Sequence, residues 1–142
     1  FKTSELNIKN DKNLVGCSVV HHGYERNFSC KHKREIYLDH QSNKLFGIDH
    51  VFKKKDGIPV RYVFRFHLSP GLTAVKTRGG NSALIQISKN KSLIFTIKGE
   101  NIEIEKSIYL GGKKILENTC ISVSGNLVNQ DKSFAWEIKK KI

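Results

Sequence analysis

Between Val60 and Pro70 the chain reads VRYVFRFHLSP, and its side chains sort with a period of two. Val60, Tyr62, Phe64, Phe66 and Leu68 fall on one face, and Arg61, Val63, Arg65, His67 and Ser69 on the other, as the alternation of an extended strand dictates. One face is apolar and the other mostly polar and cationic. A row of aromatic and β-branched side chains needs a second layer over it, so a central strand in a sheet packed on another sheet is expected here. Pro70 and Gly71 end it, because proline cannot donate to the ladder and glycine suits a tight turn.

The same period recurs along the chain. Glu5 to Ile8 reads as a short edge strand. Leu14 to His22 is a denser apolar run in which Gly16 implies a bulge or a close backbone approach. Tyr24 to Ser29 is polar enough for a loop, and His32 to His40 alternates again. In Lys44 to Lys53 the set Phe46, Ile48, His50 and Phe52 is the more apolar face, opposed by Leu45, Gly47, Asp49 and Val51. Lys53 to Gly57 reads as a solvated hairpin turn with Asp-Gly as its signal. Leu72 to Lys76, Ala83 to Ser88, Leu93 to Lys98, Ile102 to Leu110, Ile115 to Ser124 and Phe134 to Ile138 complete the strands, with Ile108 and Leu110 on an inward row. No segment places apolar residues at helical spacing over a helical length. About ten short strands exceed one comfortable open sheet, so the expectation is an all-β, antiparallel two-sheet β-sandwich, with a barrel as the alternative. Its core would hold Tyr62, Phe64, Phe66, Phe95, Ile104, Phe134 and Trp136.

Composition narrows the classes. The 142 residues fit one domain, residues 1–142, and no apolar run is long enough for a membrane helix or a signal peptide, so the reading is of a soluble chain. A first residue of Phe and the lack of any Met point to a processed product or a fragment of something longer, with the fragment favoured. The net charge is +12, from 25 Lys plus Arg against 13 Asp plus Glu, which attracts polyanions. Only five of those cations are Arg, and Lys is a hydrated point charge rather than a bidentate fork, which disfavours nucleic-acid readout. The aromatics also fall on the core face rather than among the cations. Cys17, Cys30 and Cys120 are odd in number and lack CxxC spacing; Cys17, within an apolar run, is expected to be a buried free thiol, with a Cys17–Cys30 bridge as the lesser alternative.

Candidate chemistry is sparse. The six histidines lie at 21, 22, 32, 40, 50 and 67 without metal-ligand spacing, and no HExxH, GxSxG, GxGxxG or P-loop pattern is present, so neither a metal nor another cofactor is called for. Glu103 and Glu105 share a face whose ordinary role is solubility. Arg61, Arg65 and His67, on one strand face, are the best candidates for contact with an acidic ligand.

The ordered motifs HHGYER (His21 to Arg26), HKREIYL (His32 to Leu38), FGIDHVF (Phe46 to Phe52), RFHLSPG (Arg65 to Gly71) and YLGGKK (Tyr109 to Lys114) resemble the C-terminal β-sheet domain of heparinase II/III-like proteins of bacteria, over about residues 15 to 138. Members usually carry Asp where this chain has His22. The resemblance implies a polysaccharide lyase with an N-terminal α/α toroid followed by an antiparallel β-sandwich. Such enzymes act by β-elimination: the uronate carboxylate is neutralised, a His or Tyr removes the C5 proton and the glycosidic oxygen leaves. The family's catalytic Tyr lies in the toroid, and its His-rich motifs precede the His-x-Gly-Tyr stretch, so no catalytic residue is carried over. His21, Gly23, Tyr24, His32, Arg34, Asp49 and His67 match the family pattern as structural rather than catalytic positions.

The expectation is therefore a C-terminal β-sandwich that supports cleavage of an acidic polysaccharide by a parent chain, with the toroid as its partner and no membrane. The periplasm and the cytoplasm are both open as locations. The alternative is a non-catalytic module that holds an acidic glycan or another polyanion on the cationic face.

Overall fold

A computed structural model of the chain describes residues 2–141. Its elements, in order, are β1 (Thr3–Asn10), β2 (Leu14–His21), α1 (Glu25–Phe28), β3 (Cys30–Asp39), β4 (Lys44–Lys53), β5 (Val60–His67), β6 (Thr73–Lys76), β7 (Ser82–Ser88), β8 (Lys91–Ile97), β9 (Glu103–Tyr109), β10 (Leu116–Leu127) and β11 (Lys132–Lys140). The strands form two antiparallel sheets, ordered β1-β2-β3-β4-β11-β8-β7-β6 and β5-β10-β9. The all-β reading holds. One turn of helix, α1, replaces the expected loop, and Ser29 ends it in a left-handed conformation. The expected β4–β5 hairpin does not form: the two strands belong to different sheets.

The chain divides into two compact units, Phe1–Tyr62 with Gly125–Glu137, and Val63–Ser124 with Ile138–Ile142. In the first unit β1 to β4 run as a meander with β11 next to β4. β1 is an edge strand whose register on β2 slips between Ser4 and Asn7, a β-bulge with Glu5 at a φ of 54°. The close approach implied at Gly16 is present without a bulge: a Cβ there would collide with the Tyr37 ring on β3. The faces of β4 are the reverse of the expectation. Gly47, Asp49, Val51 and Lys53 are buried, whereas Phe52 is exposed and Phe46, Ile48 and His50 are half-buried. The physical reason is Trp136 on β11, whose ring lies where a Cβ on Gly47 would be, so the small residue admits the large one. Lys53 belongs to this face and not to a solvated tip; its Nζ donates to the Lys54 carbonyl and pairs with Asp56. Tyr62 stacks on Phe134 of β11 at 6.4 Å, which brings the start of β5 onto the larger sheet.

In the second unit β6, β7 and β8 form one layer and β5, β10 and β9 the other. β7 with β8 and β9 with β10 are antiparallel neighbours, as the sequence pattern requires. The layers meet through Phe66 and Phe95, whose ring centroids lie 4.8 Å apart. Phe95, Ile97, Ile102 and Ile121 are fully buried there, and each such side chain contributes about 1.5–3 kcal/mol relative to exposure. Of the seven expected core residues, Phe64, Phe95, Phe134 and Trp136 are buried, and Tyr62, Phe66 and Ile104 are half-buried. Ile108 and Leu110 are exposed, which corrects their placement on an inward row. Cys17 is likewise exposed and unbridged rather than buried; its register partners on β1 and β3 are Ile8 and Ile36, and Ile8 is itself exposed at the edge.

Candidate functional site

β5 is an edge strand of the sheet β5-β10-β9 and not the central strand expected, because among the described residues only β10 pairs with it. Its alternation is reproduced, with Arg61, Arg65 and His67 exposed and Phe64 on the other face buried. Their exposure suits contact with a ligand, but part of the charge is already engaged. Arg65 Nε lies 3.6 Å from Glu105 Oε2. Because β10 separates β5 from β9, this pair crosses over Cys120, the register partner of Glu105. Burial pushes the Cys120 thiol up, so it stays neutral. Ser107 Oγ lies 3.2 Å from His67 Nδ1, and Glu103 pairs with Lys76 at 3.0 Å. The two glutamates of β9 therefore act as counter-charges.

Apart from His67, the family-pattern residues fall elsewhere, and the structure gathers most of them. His32 and Arg34 alternate along β3, and Asp49 on β4 is the register partner of Arg34. Asp49 is fully buried. Its carboxylate accepts from His32 Nε2 at 2.7 Å, from Arg34 Nε at 2.7 Å and Nη2 at 3.1 Å, and from Trp136 Nε1 at 2.9 Å. Burial opposes ionisation of Asp49, but the hydrogen bonds from His32 and Arg34 outweigh it and hold the carboxyl below its ordinary value. With four donors on two oxygens the group is saturated, so it clamps β3, β4 and β11 together and has little capacity left to take a proton from a substrate.

His21 is the register partner of His32, so the turn that follows β2 begins beside this cluster. The Gly23 N–H donates to His21 Nδ1 at 3.3 Å, and the rings of His21 and Tyr24 lie 5.4 Å apart. His22, where the family pattern has Asp, follows the end of β2. Its Nδ1 bonds Glu25 Oε2 at 2.7 Å, and Ser4 Oγ meets its Nε2 at 2.6 Å, so histidine ties the turn to both α1 and β1. Glu25 is held below its ordinary value chiefly by that hydrogen bond.

A polar string on the opposite face of the first unit's sheet has no counterpart in the sequence reading. His50 meets Ser133 Oγ through Nδ1 and Glu35 Oε2 through Nε2, both at 2.7 Å, and the Tyr37 hydroxyl donates to Glu35 Oε1 at 3.0 Å. Its only trace in the sequence was the alternation of Glu35 with Tyr37 on β3, which carries no information about β11. Among the described residues no group of three or more His, Cys, Asp or Glu is arranged to hold a metal ion, and no helix is long and apolar enough to cross a membrane.

No curated protein matches the sequence. Among solved structures, the heparan sulfate lyase HepC of Pedobacter heparinus is similar to this chain with a TM-score of 0.80 and 12% identity, over 98% of this chain and 22% of that one. A heparinase III matches with a TM-score of 0.75 and 14% identity, over 97% of this chain and 21% of the other. At such identities the likeness concerns the fold, and the chain spans about a fifth of the length of these structures. The family model for the heparinase II/III-like C-terminal region matches residues 2–137, nearly the whole sequence, and the chain belongs to that family.

Proposed function

We propose that the chain is the C-terminal β-sandwich of a longer polysaccharide lyase, and that it supports β-elimination of an acidic, uronate-containing polysaccharide without performing the chemistry itself. The family match over residues 2–137 carries this reading. The net charge of +12 is complementary to a polyanionic substrate. The fully buried Asp49 is already saturated by four donors, which fits a chain in which neutralisation of the uronate and removal of the C5 proton fall to an N-terminal toroid. A second reading, a non-catalytic module that holds an acidic glycan on the face of β5, draws support from the exposure of Arg61, Arg65 and His67. It is weakened by Glu105 beside Arg65.

A lyase assay tests the first reading. This chain, and separately the longer protein that contains it, are incubated with uronate-containing polysaccharides while the ultraviolet absorbance of the unsaturated product is followed. Product is expected only from the longer protein. Turnover by the 142-residue chain that disappears in His21→Ala, Tyr24→Ala or His67→Ala would place the chemistry here instead.

A further inference from the structure

The first unit holds a cleft of about 450 Å3 that none of the residues singled out from the sequence accounts for. That volume lies within the range of small-molecule sites, about 300–1,000 Å3, and accommodates a sugar ring. Lys31 and Phe52, register partners on β3 and β4, share the face that lines it, and Val20 of β2 forms apolar floor beside them. Phe52 is 40% exposed. Its ring is backed by His50, which stacks on it at 5.9 Å with an interplanar angle of 7° and is held in turn by Ser133 and Glu35. A flat aromatic face that is backed on one side and open to solvent suits the C–H-rich face of a pyranose.

Two charged groups of the lining are uncommitted. Among the described residues neither Glu5 nor Lys54 has an ion-pair partner. Glu5 reaches the cleft from the bulge of β1, at a φ of 54° where a bulge of this kind ordinarily carries glycine. A side chain retained in that region is strained by about 1 kcal/mol or more, and bulges commonly re-aim side chains toward sites. Lys54 is positioned by its own N–H, which donates to the Ser29 carbonyl at 3.0 Å. Asp131 adds a carboxylate whose Oδ1 accepts the Lys53 N–H at 2.9 Å. Lys31 is only loosely paired with Glu25, at 3.6 Å.

We propose that this cleft is a subsite for one acidic sugar residue of a polysaccharide: the ring packs on Phe52, its acidic group lies between Lys31 and Lys54, and Glu5 and Asp131 accept hydrogen bonds from its hydroxyls. The proposal rests on the polysaccharide reading above and places the contact away from β5.

The test is a titration of the 142-residue chain with a uronate-containing hexasaccharide and with a neutral hexasaccharide, followed by NMR. Saturable shifts at Phe52, Lys31 and Lys54 are expected from the acidic oligosaccharide only. Phe52→Ala and the double change Lys31→Ala, Lys54→Ala should each weaken binding by about tenfold or more, equivalent to ~1.4 kcal/mol. Glu5→Gly separates binding from structure: affinity should fall while the melting temperature holds or rises, because glycine relieves the backbone. Equal shifts with the neutral oligosaccharide, shifts confined to Arg61, Arg65 and His67, or undiminished affinity in Phe52→Ala would overturn the subsite. So would the absence of binding while the longer protein yields unsaturated product, an outcome that leaves the lyase reading intact. Binding here with no product from the longer protein would do the opposite.

Discussion

Each unit contains an arginine beside a carboxylate on a sheet, and the two pairs behave differently. In the first, Arg34 places two N–H donors on Asp49, at 2.7 and 3.1 Å, and the Asp49 side chain is 0% exposed. In the second, Arg65 approaches Glu105 through one nitrogen at 3.6 Å, with side chains 49% and 43% exposed. The residue types are nearly the same. What differs is that Asp49 also receives His32 and Trp136, whose donors replace the water it loses. A charge withdrawn from solvent must be fully bonded, so the first pair dictates where three strands sit, whereas solvent supports either partner of the second without the other.

The largest effect should come from removing the buried carboxylate. In Asp49→Ala the Arg34 guanidinium, the His32 ring and the Trp136 N–H all lose their acceptor, and breaking a buried pair in this way costs about 3–5 kcal/mol. Urea unfolding of the two chains measures it. A loss below about 1 kcal/mol would mean that the cluster is no more of a clamp than the Arg65 pair.

Acid should narrow that gap. Asp49 is held below the ordinary value of 3.8, so the folded chain binds its proton less readily than the unfolded chain does. Its contribution is therefore complete above about that ordinary value and is lost as pH falls through the lower, folded value. Comparison of wild type with Asp49→Asn by urea midpoint should show a difference at pH 5 that shrinks below about pH 4. Other carboxylates titrate over the same range: Asp56 is lowered to about 2, first by Lys53 and then by the Ile58 N–H. Because they are common to both proteins, only the difference reports Asp49. A difference that grows on acidification would reverse the assigned sign.

The same contrast shows what could be read from the chain. The alternation of β5 is legible because its inward row is apolar and its outward row carries the charges, whereas its place at the edge of the sheet is not, because that depends on its pairing with the distant β10. The faces of β4 are not legible locally, because Phe46, Ile48 and Phe52 outweigh Gly47 and Asp49 on any local hydrophobic scale. What buries the second set is Trp136, which lies far along the sequence and needs the small residue at 47 to approach. Lys53 escaped for a similar reason, since its burial depends on Asp56 and on the Lys54 carbonyl rather than on its own chemistry. The motifs shared with the family named His32, Arg34 and Asp49 but could not say that one carboxylate collects the other two. That follows only from the β3–β4 register. The cleft around Phe52 was hidden behind the same reversal, because an aromatic assigned to the core is not considered as a platform.

The smallest effect is expected at the exposed pair, and it bears on the role of β5. Coupling between Arg65 and Glu105, measured by a double-mutant cycle with alanine at each position, should be about 0.2–1 kcal/mol, the range of solvent-exposed ion pairs, and should decline with added salt. The consequence for ligands is of opposite sign in the two single variants. Glu105→Ala removes a counter-charge from Arg65 and should strengthen retention on an acidic glycan matrix at low salt if β5 is a contact face. Arg65→Ala should weaken it, and raising the ionic strength should erase both differences as counterion release loses its advantage. If the two variants elute together with the wild type at low salt, the cationic face of β5 takes no part in glycan binding. A coupling of about 2 kcal/mol or more would instead show that this pair, despite its exposure, belongs with Arg34 and Asp49 among the contacts that hold the sheets.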